Sequence, residues 1–188
     1  AWVSKGTVLM NLGRYEEAML AMGKATEIEP QNVTAWVNKG TVLINLGRTH
    51  EAIKALSRAL ELDPRNATAL RRKGVVLINQ GKDKEALQPL DEALSLDSKD
   101  AIAWGSKGTA LANLARYDEA LAALDRALAL DRRDATNLVN KGTVLINLGR
   151  EEEALVVLDE ALAIDPSNAT AWKRKGTALA NLGREEAQ

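Results

Sequence analysis

The chain contains no cysteine and no phenylalanine, and only one histidine, four prolines, four tryptophans and two tyrosines among its 188 residues. Without cysteine it can form neither disulfide bonds nor thiolate metal sites, so its composition does not indicate a redox compartment. No uncharged run is long enough to span a bilayer, and the prolines are too few for a proline-rich linker. The formal net charge of −1 gives no general attraction to nucleic acid or to an anionic membrane.

A Lys-Gly pair recurs along the whole sequence at a fixed step of 34 residues, without insertion or deletion. The pairs are Lys5-Gly6, Lys39-Gly40, Lys73-Gly74, Lys107-Gly108, Lys141-Gly142 and Lys175-Gly176. A fixed period of this size is typical of stacked supersecondary units, each too short to bury its own apolar surface. The pattern therefore predicts a single continuous array with a long repeated surface, rather than a globular domain built around a catalytic pocket.

The clearest unit extends from Val33 to Asn66. Apolar or small residues at 35, 36, 40, 43 and 44 follow helical spacing, and Gly47 offers a C-terminal stop. A second helical pattern covers 52–60 and ends at Asp63-Pro64, so the unit is predicted to be helix, turn, helix, turn. Asn66 is a natural N-cap for the next helix, and the other units have Asn or Asp at the same place. These equivalents are Asn32, Asp100, Asp134 and Asn168.

The units share further residues when Val33 is numbered position 1 and Asn66 position 34. Position 4 is tryptophan in four units, position 8 is always glycine, positions 20 and 27 are alanine in the complete units, and position 32 is mostly proline. The tryptophans are Trp2, Trp36, Trp104 and Trp172, and the prolines are Pro30, Pro64 and Pro166. Over the whole chain this pattern resembles the tetratricopeptide repeat family, whose units are helix–turn–helix pairs of the same length.

The resemblance implies an all-α fold, a right-handed superhelical solenoid of antiparallel helix pairs. Its first helices would line a concave groove, and its second helices would form the convex side. The expected units are 1–32, 33–66, 67–100, 101–134 and 135–168, followed by a partial sixth unit, 169–188, that would end just inside its second helix.

Two rows of polar residues are the candidate ligand contacts. Position 13 is asparagine in every unit, and position 9, on the same helical face, is threonine in all units but the third. The rows are Asn11, Asn45, Asn79, Asn113, Asn147 and Asn181, and Thr7, Thr41, Thr109, Thr143 and Thr177. The resemblance places them in the groove, where amides that both donate and accept could pair with the backbone of an extended peptide. The alternative is that each asparagine only helps its helix to end before glycine.

Charge is divided between the two kinds of helix. The predicted first helices contain ten Lys or Arg and no Asp or Glu, so the groove is predicted to be positive and to attract acidic segments. The adjacent pairs Arg71-Arg72 and Lys173-Arg174 are the candidate basic contacts. The lysines of the Lys-Gly pairs are expected instead to lie near the packed stripe and to extend into solvent.

A longer period of three units is superimposed on the first. Position 6 is Ser4, Asn38 and Arg72, and then Ser106, Asn140 and Arg174. Asn38 and Arg72 match two of the five polar residues with which some tetratricopeptide proteins hold a C-terminal carboxylate, and Asn140 and Arg174 repeat the match. Asn38 and Asn140 therefore join the candidate ligand contacts, but binding of chaperone tails is not predicted. Duplication without functional meaning is the alternative explanation of the longer period.

Neither an active site nor a nucleic-acid surface is predicted. The single histidine, His50, lies in a turn, and no phosphate loop, metal-ligand cluster or nucleophile–base pair is present, so no enzyme activity, cofactor or metal is expected. All six tryptophans and tyrosines fall at position 4 or 17. The resemblance implies that these are packing positions, which leaves no aromatic residue to stack on bases.

The sequence predicts a protein-interaction scaffold that holds an extended or short helical, acidic peptide in its groove. The cytoplasm is the favoured compartment, and neither nucleic acid nor a membrane is expected as a partner. The alternative is a structural module that assembles with copies of itself through exposed end helices or other surfaces.

Overall fold

The computed structural model describes the chain from residue 1 to residue 185, and the side chains as far as residue 183. Within residues 1–185 there are eleven helices and no strand, which confirms the all-α repeat architecture. The first helices of the units are α1 (Trp2–Asn11), α3 (Val33–Asn45), α5 (Ala67–Asn79), α7 (Ala101–Asn113), α9 (Ala135–Asn147) and α11 (Ala169–Glu185). The second helices are α2 (Tyr15–Ile28), α4 (Thr49–Leu62), α6 (Asp83–Leu96), α8 (Tyr117–Leu130) and α10 (Glu151–Ile164).

The chain contains two compact halves, residues 1–98 and 99–188. Within each half, every helix packs on the helix that precedes it. In the first half, Val42 of the second unit packs with Met22 of the first, and Val76 of the third unit packs with Leu56 of the second. The first helix of each following unit thus completes the core of the unit before it, as expected for a stacked array. That all six units form one continuous domain stays a prediction.

Side-chain caps begin the first helices that follow a complete turn. The Asn32 side chain accepts a hydrogen bond from the backbone N–H of Ala35 at 3.0 Å, as predicted for an N-cap. The equivalent caps are Asn66, Asp100, Asp134 and Asn168, with distances of 2.9–3.0 Å. The two units that lack the proline, at Ser98 and Arg132, form the same two-residue turn, because the cap alone holds the start of the next helix.

In the five units with a described second helix, the glycine of the Lys-Gly pair allows the two helices to approach closely. A Cβ atom at Gly40 would lie 2.7 Å from Leu56 Cγ, and a Cβ at Gly142 would lie 2.7 Å from Leu158 Cγ. Both leucines are completely buried. The missing side chain therefore lets a second-helix leucine pack directly on the backbone of the first helix.

The last helix departs from the expected boundaries. In the five preceding units the turn after the first helix uses one residue with positive φ, as at Gly47 (φ 70°) and Ala115 (φ 57°). Helix α11 instead continues through Gly183 to Glu185, so no turn follows the glycine as it does in the other units. Among residues 1–185 no second helix of the sixth unit packs back on α11, and its own backbone hydrogen bonds simply continue. The register predicted for residues 186–188 lies outside the described residues.

Candidate functional site

The first helices form one continuous side of each half. Helix α1 contacts α3 and α3 contacts α5 in the first half, while α7 contacts α9 and α9 contacts α11 in the second. No contact joins consecutive second helices within the described part of either half. We call the side formed by the first helices the inner face. It carries the residues predicted as ligand contacts.

Two side-chain bridges fasten neighbouring first helices at the inner face. Asn38 Nδ2 donates a hydrogen bond to Thr7 Oγ1 at 3.3 Å, and Asn140 Nδ2 donates to Thr109 Oγ1 at 3.1 Å. Each bridge joins position 6 of one unit to position 9 of the unit before it. Asn38 and Asn140, both half-buried, therefore already have a partner within the protein.

The threonine row is largely engaged within its own helices. Each hydroxyl donates to the backbone carbonyl four residues earlier, at 2.9–3.1 Å, which is a common way for threonine to satisfy its donor in a helix. The threonines concerned are Thr7, Thr41, Thr109, Thr143 and Thr177. Thr41 is also buried, with 8% of its surface exposed. A ligand could therefore donate a hydrogen bond to the hydroxyl oxygens of the more exposed threonines. The hydroxyl hydrogens are already used within the helices, so they are not available to a ligand.

The asparagine row is more accessible. All of its members except Asn181 are exposed. Asn45 Nδ2 donates to the Thr41 carbonyl at 3.0 Å within its own helix, and Asn181 Nδ2 donates to Glu151 Oε1 at 3.0 Å. The side chains of Asn11, Asn79 and Asn147 make no hydrogen bond with any described residue.

Two arginines have buried N–H groups at matching places in the two halves. Arg72 and Arg174 are half-buried, and the Nε atom of each is inaccessible to solvent and has no hydrogen-bond partner among the described residues. Burial lowers the pKa of Arg72, and the charge of the adjacent Arg71 lowers it further. Beside them, Arg71 is half-buried and Lys173 is exposed. The two arginines and their basic neighbours therefore place positive charge at matching positions of the two halves.

The lysines of the Lys-Gly pairs lie towards the second helices instead. In the four units that have the tryptophan, the lysine ammonium lies 4.9–5.5 Å from the centre of the indole ring three residues earlier. Lys141 and Lys175 also form ion pairs of 2.7 and 2.6 Å with Asp125 and Asp159 on the preceding second helix. The Trp-x-x-Lys spacing, which places both side chains on one side of a helix, is the sequence signal for this contact.

Glu151 is a buried residue that the sequence pattern did not reveal. It is the first residue of α10, and only 4% of its surface is exposed. It is the first of three consecutive glutamates, and negative charge at the start of a helix is ordinarily explained by the helix dipole alone. Glu151 lies at position 17, where two other units have Tyr15 and Tyr117. This alignment with aromatic residues was the sequence signal that its side chain is buried. The Asn181 amide supplies a donor to its carboxylate in this setting.

Other kinds of site find no support in the described residues. Within residues 1–185 no group of three or more His, Cys, Asp or Glu side chains could hold a metal ion. The same part of the chain contains no helix that is both long and apolar enough to cross a bilayer.

Comparison with known families decides the relationship. Tetratricopeptide repeat models match residues 37–103, 106–169 and 139–188, and a further tetratricopeptide repeat model matches residues 1–32. The chain belongs to the tetratricopeptide repeat family. Tetratricopeptide repeats act as protein-interaction scaffolds, and that coarse function applies to this chain. No curated protein sequence shows significant similarity to it.

Solved tetratricopeptide repeat structures resemble this chain over most of its length. YrrB, described as a TPR protein with an unusual peptide-binding site, is 27% identical, with a TM-score of 0.75 over 93% of this chain and 90% of YrrB. TTC0263, a thermophilic TPR protein of Thermus thermophilus, is 25% identical, with a TM-score of 0.74 over 95% of this chain and 97% of that protein. MamA 41-end from Desulfovibrio magneticus RS-1 has a TM-score of 0.79 at 21% identity, covering 89% and 95%, and shows the shared fold alone.

Proposed function

We propose that the inner face binds an extended or short helical acidic peptide, with Arg72 and Arg174 as the principal anchors. The observation that carries this proposal is that two half-buried arginines, Arg72 and Arg174, occupy the same position on a first helix in each half of the chain. Helices α1, α3, α5, α7 and α9 contain no Asp or Glu, so no carboxylate on those helices competes for the Arg72 guanidinium group. A carboxylate would make a charge-assisted hydrogen bond, which is stronger than a neutral one.

The remaining candidate residues have supporting roles in this proposal. Arg71 and Lys173 add positive charge beside the anchors. The exposed amides at position 13, above all Asn11, Asn79 and Asn147, pair with the ligand backbone, and the threonines of position 9 offer only hydroxyl oxygens as acceptors. Asn38 and Asn140 act indirectly, because their bridges to Thr7 and Thr109 fix the spacing of the first helices. The description of YrrB as having a peptide-binding site supports peptide binding by a related array.

Binding of fluorescent acidic peptides tests the proposal. We would screen a library of capped peptides rich in Asp and Glu by anisotropy, against the parent chain and the double variant Arg72→Gln, Arg174→Gln. Because a hydrogen bond to a charged group contributes about 1.5–3 kcal/mol, loss of both anchors should weaken the best peptide by about tenfold or more. Binding should also weaken as salt is raised, since the contacts are electrostatic.

The matched control is the double variant Lys84→Gln, Arg133→Gln, which removes the same charge from exposed residues outside the first helices. It should bind the acidic peptides like the parent chain. If no acidic peptide binds, or if both double variants lose affinity equally, the proposed anchors are wrong.

Self-association is a second candidate function, favoured by exposed apolar residues on the end helices. Val8 is 56% exposed, although its equivalents in the other units are completely buried, and Leu179 is 52% exposed where the equivalent Leu43 is 1% exposed. Sedimentation velocity over a range of protein concentrations tests this hypothesis. A sedimentation coefficient that increases with protein concentration, and that is smaller for the Val8→Lys, Leu179→Lys variant, supports assembly. A constant monomer contradicts it.

A further inference from the structure

Three units carry an equivalent pocket between the first helix and the second. In the second unit it is lined by Trp36, Lys39, Leu43, Glu51, Ala55 and Arg58, together with Lys54. The same positions line pockets in the first and fourth units, and the three volumes are about 350, 310 and 240 Å³ in chain order. We call these three sites the outer pockets. None of them includes a residue predicted as a ligand contact.

Positions 4 and 26 of the outer pockets change together along the chain. The three complete units with tryptophan at position 4 have a basic residue at position 26, whereas the two with leucine at position 4 have glutamate there. The first set is Trp2 with Lys24, Trp36 with Arg58, and Trp104 with Arg126, and the second set is Leu70 with Glu92 and Leu138 with Glu160. Packing alone does not require this pairing, because position 26 is exposed or half-exposed in all five units.

The wall and base of each outer pocket are apolar. Leu43 and Ala55 are buried at its base in the second unit, and Leu111 and Ala123 occupy the same places in the fourth. The indole of position 4 forms a wall. An opening of this size with an aliphatic base and an aromatic wall accommodates a large apolar side chain, whose burial supplies binding energy.

The rim of each outer pocket is positively charged on balance. The lysine of position 7 lies over the indole, at 4.9 Å from its centre for Lys39 and 5.4 Å for Lys107. The single rim carboxylate of position 19 is already held by an arginine, as in the Arg116–Glu119 pair at 2.6 Å. Arg126 forms no hydrogen bond or ion pair with any described residue, since Ala129 stands where Arg58 meets Glu61 in the second unit. The rim therefore complements carboxylates that flank an apolar side chain.

The fifth unit provides the contrasting site within the same chain. Its pocket is lined by Leu138, Lys141, Val157 and Glu160, and also by Asp125 of the preceding second helix. Leu138 replaces the indole, and Glu160 replaces the base of position 26. This pocket therefore has an apolar lining without the indole and without the cation of position 26.

We propose that the outer pockets are a second class of binding site, which takes acidic protein segments carrying an isolated large apolar side chain. The apolar side chain enters between the indole and the base leucine, and the flanking carboxylates meet the base of position 26. The sites at Trp36 and Trp104 lie in different halves and act independently of the inner face. The occupant is a protein segment, because the pocket recognises an apolar group and several carboxylates together.

A titration followed by nuclear magnetic resonance tests this proposal on the whole chain. The probe is a capped pentapeptide with one leucine between two pairs of aspartates, and the indole N–H signals of the tryptophans are observed in a ¹⁵N-labelled sample. The signals of Trp36 and Trp104 should shift in a saturable way. Peptides with glycine in place of leucine, or lysines in place of aspartates, should bind at least about fivefold more weakly, because each loses one of the two kinds of contact.

Exchange of residues between units supplies the variants. Arg126→Glu introduces the natural residue of the third and fifth units at an exposed place, and should abolish the shift at Trp104 but not at Trp36. The pair Leu138→Trp, Glu160→Arg should create a responsive indole at residue 138. Shifts that are absent, that do not depend on the aspartates, or that survive Arg126→Glu at Trp104 would overturn the proposal.

The same titration separates the outer pockets from the inner face. In the Arg72→Gln, Arg174→Gln variant the indole shifts at Trp36 and Trp104 should persist with unchanged affinity. If the shifts disappear in that variant, the indoles report ligand bound at the inner face, and the outer-pocket assignment fails while the proposed function stands. If inner-face binding is absent in the parent chain but the indoles still respond, the outer pockets are the interaction surface.

Discussion

A single backbone conformation makes the turn between the two helices of each complete unit. Gly13, Gly47, Gly81 and Gly149 adopt φ values near 70°, a region that glycine enters without steric strain. The fourth unit has Ala115 at this place, with φ of 57°. Alanine there is held in the left-handed region by the surrounding helices, at an energetic cost of about 1 kcal/mol.

The variant Ala115→Gly should therefore raise the free energy of unfolding by up to about 1 kcal/mol. The reciprocal variant Gly149→Ala should lower it by a similar amount, and because a Cβ at Gly149 would meet no atom within 4 Å, its effect reports backbone strain alone. Urea denaturation followed by circular dichroism measures both. A destabilised Ala115→Gly protein would show that the left-handed conformation carries no strain here.

At the scale of helices, one buried amide contributes to the packing between the fourth and fifth units. Asn137 stands where the other units have alanine, is 5% exposed, and donates to Asp134 Oδ2 at 2.9 Å. Its side chain lies against Gly105 of the neighbouring first helix, where a Cβ atom would lie 2.8 Å from Asn137 Nδ2 and nearer still to Oδ1. The absence of a side chain at Gly105 leaves the space that the Asn137 side chain fills, so the packing of each residue depends on the other.

A double-mutant cycle measures this dependence. Gly105→Ala alone should destabilise the protein by about 1–3 kcal/mol, because the new methyl group overpacks against Asn137. In the background of Asn137→Ala the same change should be neutral or stabilising, since alanine is favoured over glycine in a helix by roughly 0.5–1 kcal/mol.

The control for the cycle is Gly23→Ala in α2, where a Cβ would meet no atom within 4 Å. This change should stabilise the protein in either background. An equal effect of Gly105→Ala with and without Asn137 would contradict the coupling.

At the level of helices, the sequence predicted the features that depend on interactions between residues close together in the chain. The N-caps at Asn32 and Asn66 and the stop at Gly47 were predictable because a capping amide and a left-handed glycine act within a few residues. The continuation of α11 through Gly183 was not, because glycine also adopts the helical conformation. Local signals therefore permit a turn without requiring it.

The candidate site was predictable as a set of positions rather than as a set of contacts. Periodicity placed the asparagine and threonine rows on the first helices, but it did not show that Thr41 is buried or that Asn38 bonds to Thr7. The burial of Glu151 was equally hidden, since its donor, Asn181, lies in the following unit. Contacts between units depend on distances that the repeat period alone does not specify.

Over the whole molecule, four units repeat one ion pair at the start of the second helix. The Arg48–Glu51 pair, at 2.6 Å, has equivalents in Arg14–Glu17, Arg116–Glu119 and Arg150–Glu153. In each, the hydrogen bond from the arginine lowers the pKa of the glutamate below its ordinary value of 4.5. All four pairs are exposed to solvent, so each contribution to stability is small.

Acidification should therefore reduce stability in a defined window. The folded protein keeps these carboxyls ionised to lower pH than the unfolded chain does, so their contribution is complete above pH 4.5 and is lost as the pH falls through the lowered pKa values. The variant Glu17→Gln, Glu153→Gln should show a shallower loss of melting temperature below pH 4.5. Its control, Glu16→Gln, Glu152→Gln, changes neighbouring glutamates and should follow the parent curve; a steeper loss in the test variant would contradict the assignment.

The packing of Asn137 against Gly105 also affects how the number of units in such a chain can change. Residues 37–48 and 139–150 are identical, and both members of the pair lie between these two segments. Removal or duplication of the three units between equivalent points of these segments takes both residues together. It does not separate Gly105 from Asn137, so the array can lengthen or shorten by three units without leaving the Asn137 amide in contact with a bulkier residue.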